Sequence, residues 1–453
     1  MSRLFKMILL YNGLIVNEGE RYVGHIAISG EFISEIGRGE PSPVLLDNAD
    51  EAIDLNGDMV IPGVIDTHVH FRDPGLTEKG DMATESRAAV MGGVTSFIDM
   101  PNTIPPTVTK KAVEDKMNRA SEVSVANYGF FIGATNSNFD EIASADYTRV
   151  AGVKVFMGSS TGNMLVDDTS AISKIFSEIK APVAIHAEDE ATIAACKAAV
   201  EAEYAGEEVP VEMHPEIRSR RACYTATSRA VELARRCGTR LHVCHISTAD
   251  ELTLFSPGKI TDKLITAETA PHYLFFDSND YTALGARIKC NPAIKDCSDK
   301  IALLRGLENG LIDTVATDHA PHLLKSKTGG ALKAASGMPG IEYSLALMLE
   351  LADENPALTE ERIVGTMCHN PALIFRIDRR GFLRKGYFAD ITVIGNCRMK
   401  ITDEGVTSRC GWTPLAGFTL SRMPVMTIVN GKIAMRSRRL TGESRALPLK
   451  FNN

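Results

Sequence analysis

The sequence predicts an α/β protein, a (β/α)8 barrel with a small composite β-sandwich domain built from both termini. Three observations carry that prediction. Eight short apolar segments alternate with helical stretches through the middle of the chain. The polar residues of those segments gather at their C-terminal ends. The chain on either side reads as strands and turns. Eight βα units imply a closed barrel, and barrels place their chemistry where the strands end. At 453 residues the chain also exceeds one small core, which leaves room for the second domain.

Residues 1–60 supply the first part of the small domain through "MILLYNGLIV", "YVGHIAISG" and "EFISEIG", with Asn12-Gly13 expected to end the first strand in a turn. Residues 61–384 hold the eight barrel segments: "GVIDTHVH", "GVTSFIDM", "VANYGFFIGA", "GVKVFMG", "PVAIHAE", "RLHVCHIS", "KLITAETAPH" and "DTVATDHAPH". Residues 201–221, charged and interrupted by Pro210 and Pro215, read as a helix-and-loop excursion from that rhythm. Residues 385–453 complete the small domain with "ADITVIG" and "VMTIVNGKIAM", where Asn430-Gly431 signals a hairpin; "RSRR" at 436–439 reads as a solvated basic turn.

Composition narrows the function. A hydrophobic fraction of 44% and a charged fraction of 23% describe a soluble globular chain. A net charge of -8 argues against nucleic acid or an anionic membrane as partner, so an acidic substrate needs a local cation. The apolar run Met7 to Tyr11 is too short for a signal-peptide core, and no segment is long enough to span a bilayer. Nine scattered cysteines without a Cys-x-x-Cys pair suit reduced, mostly buried thiols, hence a cytoplasmic enzyme.

The strand ends carry His68 and His70, Lys154, His186, His245 and Asp318. In a strand His68 and His70 share a face, because the side-chain period is two. Each histidine alone could be hydrogen-bonded structure, but four with an aspartate at successive strand ends suit zinc. They exceed what one catalytic zinc with an open position needs, so two metals are expected. On the residues alone Lys154 is expected to snorkel from its strand end or to pair with a carboxylate, since an ammonium beside divalent cations is repelled.

"DTHVH" followed by "FRDPG", "DMPNT", "GVKVFMG", "IHAEDE", "HVCHIS", "APHYLFF", "ATDHAPH" and "SRCGWTPLAGF" strongly resembles the amidohydrolase superfamily and, within it, the dihydroorotase family. The resemblance runs along essentially the whole chain. It implies that His68, His70 and Asp318 bind the more buried of two zinc ions and that His186 and His245 bind the more exposed one. Lys154 would be carboxylated and bridge both, which turns a repelled cation into an anionic ligand. Some members use a loop aspartate instead, and Asp167 and Asp168 follow here.

The resemblance further implies that Arg72, Asn102 and His322 hold a substrate carboxylate. Without it, Asn102 reads as a turn residue and His322 as a surface loop histidine. Asn291 and backbone at "SGMPG", Pro339 and Gly340 among it, would face a pyrimidine ring, and Thr161 in "SSTGN" would touch the ligand from a loop. The implied reaction is reversible cyclisation of N-carbamoyl-L-aspartate to L-dihydroorotate. It would use a metal-bridging hydroxide and Asp318 as general acid and base, in a homodimer with a small-molecule substrate and no nucleic-acid or membrane partner. Allantoinase, a dihydropyrimidinase-type hydantoinase and a catalytically silent scaffold are the alternatives.

Overall fold

The computed structural model describes residues 6–158, 164–443 and 446–453. Eight strands lie in chain order in one sheet: Val64–Val69, Val94–Asp99, Asn127–Gly133, Gly152–Phe156, Val183–His186, Leu241–Val243, Ile265–Thr269 and Thr314–Val315. Each pairs in parallel with the next. The last returns to the first: Val69 bridges to His319, and the His70 N–H donates to the His319 carbonyl at 2.8 Å. All eight predicted segments supply a barrel strand.

Strands covered on both faces read as continuous apolar runs, and Asn127–Gly133 and Val183–His186 are buried at every position. Helices cover the outside with their apolar stripes. In Arg220–Cys237 the buried Ala226, Ala230, Val231 and Ala234 recur at helical spacing, and the helix stops at Gly238, whose φ of 67° closes the last turn. Residues 201–221 form the predicted excursion, from the end of helix Glu190–Tyr204 through short turns into Arg220–Cys237.

The terminal strands form a separate nine-stranded sheet. Its two halves join where Met59–Pro62 runs parallel to Leu14–Ile15 on one side and antiparallel to Ile391–Ile394 on the other. The sheet folds over itself. The turns at Gly30 and Gly431 stand near opposite ends of the strand order, yet a Cβ on Gly431 would lie 2.0 Å from the Gly30 carbonyl oxygen. Ile8, Leu10, Ile26, Val60, Ile391 and Ile428 fill the space between the halves. Arg380 ties this sheet to the barrel through Asp390, whose carboxylate also accepts from Asn127 on the third barrel strand.

One local expectation is corrected. Asn12-Gly13 does not end the first strand, which runs unbroken over Met7–Asn17; Asn12 takes φ 57° and the register shifts between Leu10 and Gly13. The missing Cβ at Gly13 admits Leu55 and Val60, so the strand exchanges one neighbour, Glu51–Asp54, for another, Met59–Val60. The "RSRR" segment turns as expected with Arg436, Ser437 and Arg439 exposed, and only Arg438 is half-buried, its guanidinium donating to the Met91 carbonyl and facing Glu342 at 3.4 Å. No helix among the described residues is long and apolar enough to cross a membrane.

Candidate metal centre and substrate pocket

His68, His70, Lys154, His186, His245 and Asp318 line one cavity of about 70 Å³ at the C-terminal mouth of the barrel, together with Arg72, Asn102, Asn291, Ser336 and Gly337. The chain leaves its strands sharply here. Arg72, His245 and Asp318 adopt φ values of 66°, 43° and 47°, a left-handed conformation that costs about 1 kcal/mol or more for a side-chain-bearing residue and clusters at functional sites.

The imidazoles are anchored from behind. His68 Nδ1 meets Glu268 Oε1 at 2.7 Å and His70 Nδ1 donates to Asn102 Oδ1 at 2.6 Å, while their Nε2 atoms lie 3.3 and 2.9 Å from Asp318 Oδ1. His186 Nε2 faces Glu188 Oε2 at 3.0 Å, and its Nδ1 lies 2.8 Å from His245 Nε2. For His68 and His70 these outer acceptors fix the tautomer and leave Nε2 as a lone pair. The ligand atoms of His68, His70 and Asp318 lie within 4.8 Å of one another, and nitrogen with carboxylate oxygen suits zinc. Burial holds His70 down to about 4, in its neutral, ligating form.

Lys154 neither snorkels nor pairs with a carboxylate. It is fully buried, its Nζ sits 3.0 Å from Cys244 Sγ and 5.3 Å from the centre of the Phe156 ring, and no carboxylate among the described residues reaches it. Asp167 and Asp168 do not reach it either. Both are exposed: Asp167 accepts from Asn136 at 2.8 Å, and Asp168 caps helix Thr169–Glu178 by accepting from the Ser170 N–H at 2.7 Å.

Arg72 is buried beside this cluster. Its Nη2 lies 3.4 Å from His322 Nε2, and its Nε and Nη1 find no acceptor among the described residues. Burial pulls the guanidinium down to about 10, which still leaves it charged at neutral pH. His322 is itself buried rather than a surface residue, and burial and the charge of Arg72 push its pKa far down. A buried guanidinium with unused donors is costly unless an anion takes them.

Asn102 is buried with its oxygen on His70, and Asn291 accepts from His214 at 3.1 Å. Pro339 and Gly340 lie elsewhere, in a small neighbouring cavity beside His272, because the Gly340 N–H is directed to His319 Nδ1 at 3.1 Å. Ser336 and Gly337 of the same segment line the main cavity instead. Thr161 lies outside the described residues. Sequence reasoning missed Glu188 and Glu268. Glu188 stands two positions after His186, a spacing that the strand period could have exposed.

A (β/α)8 barrel whose strand ends converge histidines and an aspartate in this way is the architecture of barrel hydrolases that work with bound metal. Residues 59–434 match the Amidohydrolase family, and the chain belongs to that family. It is 35% identical to a dihydroorotase of Methanosphaera stadtmanae, over 85% of this chain and 87% of that one. It is 34% identical to a dihydroorotase of Bacillus pumilus, over 95% and 99%. Among solved structures it is similar to the L-hydantoinase (dihydropyrimidinase) of Arthrobacter aurescens, with a TM-score of 0.90, 27% identity and coverage of 99% and 100%.

Proposed function

We propose that the protein is a dihydroorotase, interconverting N-carbamoyl-L-aspartate with L-dihydroorotate and water in de novo pyrimidine biosynthesis. The observation that carries this reading over a neutral-ring amidase is Arg72, buried in the cavity with Nε and Nη1 unused among the described residues. A guanidinium fork matches a carboxylate through two parallel hydrogen bonds, and dihydroorotate carries that carboxylate where hydantoin and dihydrouracil do not. The hydantoinase reading is second, favoured by the likeness to the Arthrobacter aurescens enzyme.

His68, His70 and Asp318 would hold one zinc ion, His186 and His245 a second, and a Lys154 carboxylated on Nζ would stand between them. When bound, such a pair acidifies a water and polarises the amide carbonyl. The chain's own groups do the rest. Arg72 takes the substrate carboxylate, with His322 and Asn102 beside it, and Asn291 and Gly337 border the ring. Asp318 takes the proton of the attacking water as the C–O bond forms and delivers it to the ring nitrogen as the C–N bond breaks. Closure runs the same transfers backward. The reading includes a barrel over 61–384, a small domain from 1–60 and 385–453, and a cytoplasmic homodimer.

The test is turnover of L-dihydroorotate by purified protein with quantified zinc, with allantoin, dihydrouracil and hydantoin in parallel. Selective turnover of dihydroorotate is expected. Turnover of a neutral ring in its place moves the protein to the hydantoinase reading, and metal-loaded silence on all four overturns both.

A further inference from the structure

A second cavity, of about 430 Å³, opens at the opposite mouth of the barrel. Its walls include Pro182, Arg240 and Leu264, each just before a barrel strand, and the returning segment 372–387. Five cationic side chains border it, Arg240, Lys263, Arg376, Arg380 and Arg384, against one carboxylate, the exposed Asp262. In a chain of net charge -8, such a concentration needs a physical reason.

Three of the five are neutralised in place. Lys263 pairs with Asp313 at 2.6 Å, Arg380 with Asp390 and Arg384 with Glu18. The other two are not. Arg240 donates only to neutral oxygens, Asn453 Oδ1 at 2.8 Å and the Ile374 carbonyl at 2.7 Å, and Arg376 has no ion-pair partner among the described residues. Burial, with the like charge of Arg376, pulls Arg240 down to about 10. The backbone holds Arg376 in place in the left-handed region, φ 51°, with its carbonyl accepting from the Asn452 N–H at 2.9 Å. Two guanidinium groups on one cavity, without a side-chain ion pair among the described residues, are what a bound anion relieves. Apolar side chains complete the wall, and two of them, Leu264 and Leu373, are 53% and 38% exposed.

We propose that this cavity is a binding site for a small organic phosphate monoester, its phosphoryl group between Arg240 and Arg376 and its body against the apolar wall. A phosphate monoester carries nearly two negative charges at neutral pH and several acceptor oxygens, matching two guanidinium forks. The cavity also falls within the volumes typical of small-ligand sites. The site is separate from the histidine cluster, so it does not depend on which ring that cluster opens.

The probe is adenosine 5′-monophosphate, titrated calorimetrically into zinc-loaded protein, with adenosine and inorganic phosphate as companions. Saturable one-to-one binding is expected, at least about tenfold tighter than for either companion. Arg376→Glu, at an exposed side chain, should weaken it at least about tenfold while leaving turnover unchanged; Arg240→Gln should act likewise if it folds. Arg72→Ala should leave the binding intact. No saturable binding overturns the proposal, as does equal binding of adenosine, undiminished binding in Arg376→Glu or loss in Arg72→Ala. Inorganic phosphate binding as tightly as the nucleotide overturns the organic part of the ligand.

Discussion

The two mouths of the barrel handle charge in opposite ways. At the C-terminal mouth, imidazoles and carboxylates are buried and locked: Glu268 holds His68, Asn102 holds His70, and Glu188 faces His186 while paired with Arg218. Toward the other mouth the interior is an apolar floor of Ile65, Ile98, Phe131, Ala184 and Phe375, with the Phe131 and Phe375 rings edge to face at 5.7 Å. Charges there sit around a roomier cavity. The contrast teaches that the barrel fixes most of its buried charges against partners around a tight cavity at the C-terminal mouth and leaves guanidinium groups around an open cavity at the other, with an apolar floor between the two. The unused Arg72 donors and the left-handed backbone at Asp318 are tolerable because Phe375 and its neighbours stabilise the frame independently.

The largest effect should come from Asp318→Asn. It removes a proton acceptor and a candidate ligand at once, so kcat is expected to fall by about 10³-fold or more, with zinc content measured alongside. Full zinc occupancy with near-wild-type turnover would break the assignment of chemistry to this mouth. Arg72→Ala comes next, with kcat/KM for dihydroorotate down about 10²-fold, roughly 3 kcal/mol, from the loss of charged hydrogen bonds. A neutral ring should be unaffected by that change, and an equal loss on both rings would tell against the carboxylate clamp. Glu188→Gln should weaken zinc at the His186–His245 pair by about 10 to 100-fold, since it removes the negative charge that faces His186 at 3.0 Å. Competition with a chromophoric chelator reads this directly.

Much of this division was legible in the sequence, because apolar segments that end in histidine or aspartate mark both the strands and their functional ends. What escaped depends on partners distant in the chain. Glu268 sits in an apolar strand but is 200 positions from the His68 it holds, and Lys154 is 90 positions from Cys244. Glu188 reads as one more charge in "IHAEDE", although the fold buries it completely. Within "SGMPG" only Ser336 and Gly337 line the histidine cavity, because Lys327 bonds the Gly337 carbonyl while the Gly340 N–H is directed to His319. Asn12-Gly13 and Asn430-Gly431 present the same dipeptide with nearly the same Asn φ, 57° and 48°, yet one is a bulge and the other a hairpin. Only the strands alongside decide between them.

Phe375→Ala tests the floor against the site. Truncating a fully buried phenylalanine should cost about 3 to 5 kcal/mol of stability, read by urea denaturation. Turnover per zinc-loaded folded molecule should hardly change. A fall in kcat matching the Asp318 variant would show that the two mouths are coupled and that the comparison fails.

The smallest effect sharpens the comparison at the substrate wall. Lys327 is a buried cation at the catalytic mouth whose ammonium donates to three carbonyls, those of Lys289, Ala335 and Gly337, at 2.9, 2.8 and 2.7 Å. Burial pulls its pKa from 10.5 down to about 7. Between those values the unfolded chain holds a proton that the folded chain releases, so this group's contribution to stability rises with pH across that window. Below about 7 both states are protonated and the burial penalty is fully felt. Lys327→Met should therefore gain most, relative to wild type, at about pH 6, keep roughly half of that advantage at about pH 9 and lose it only above about pH 10.5 in urea melts. Its KM for dihydroorotate should rise several-fold with little change in kcat, because Gly337 lines the cavity. A pH-independent stability difference would show that the three carbonyls hold the ammonium charged throughout, as firmly as Glu268 holds His68 across the pocket.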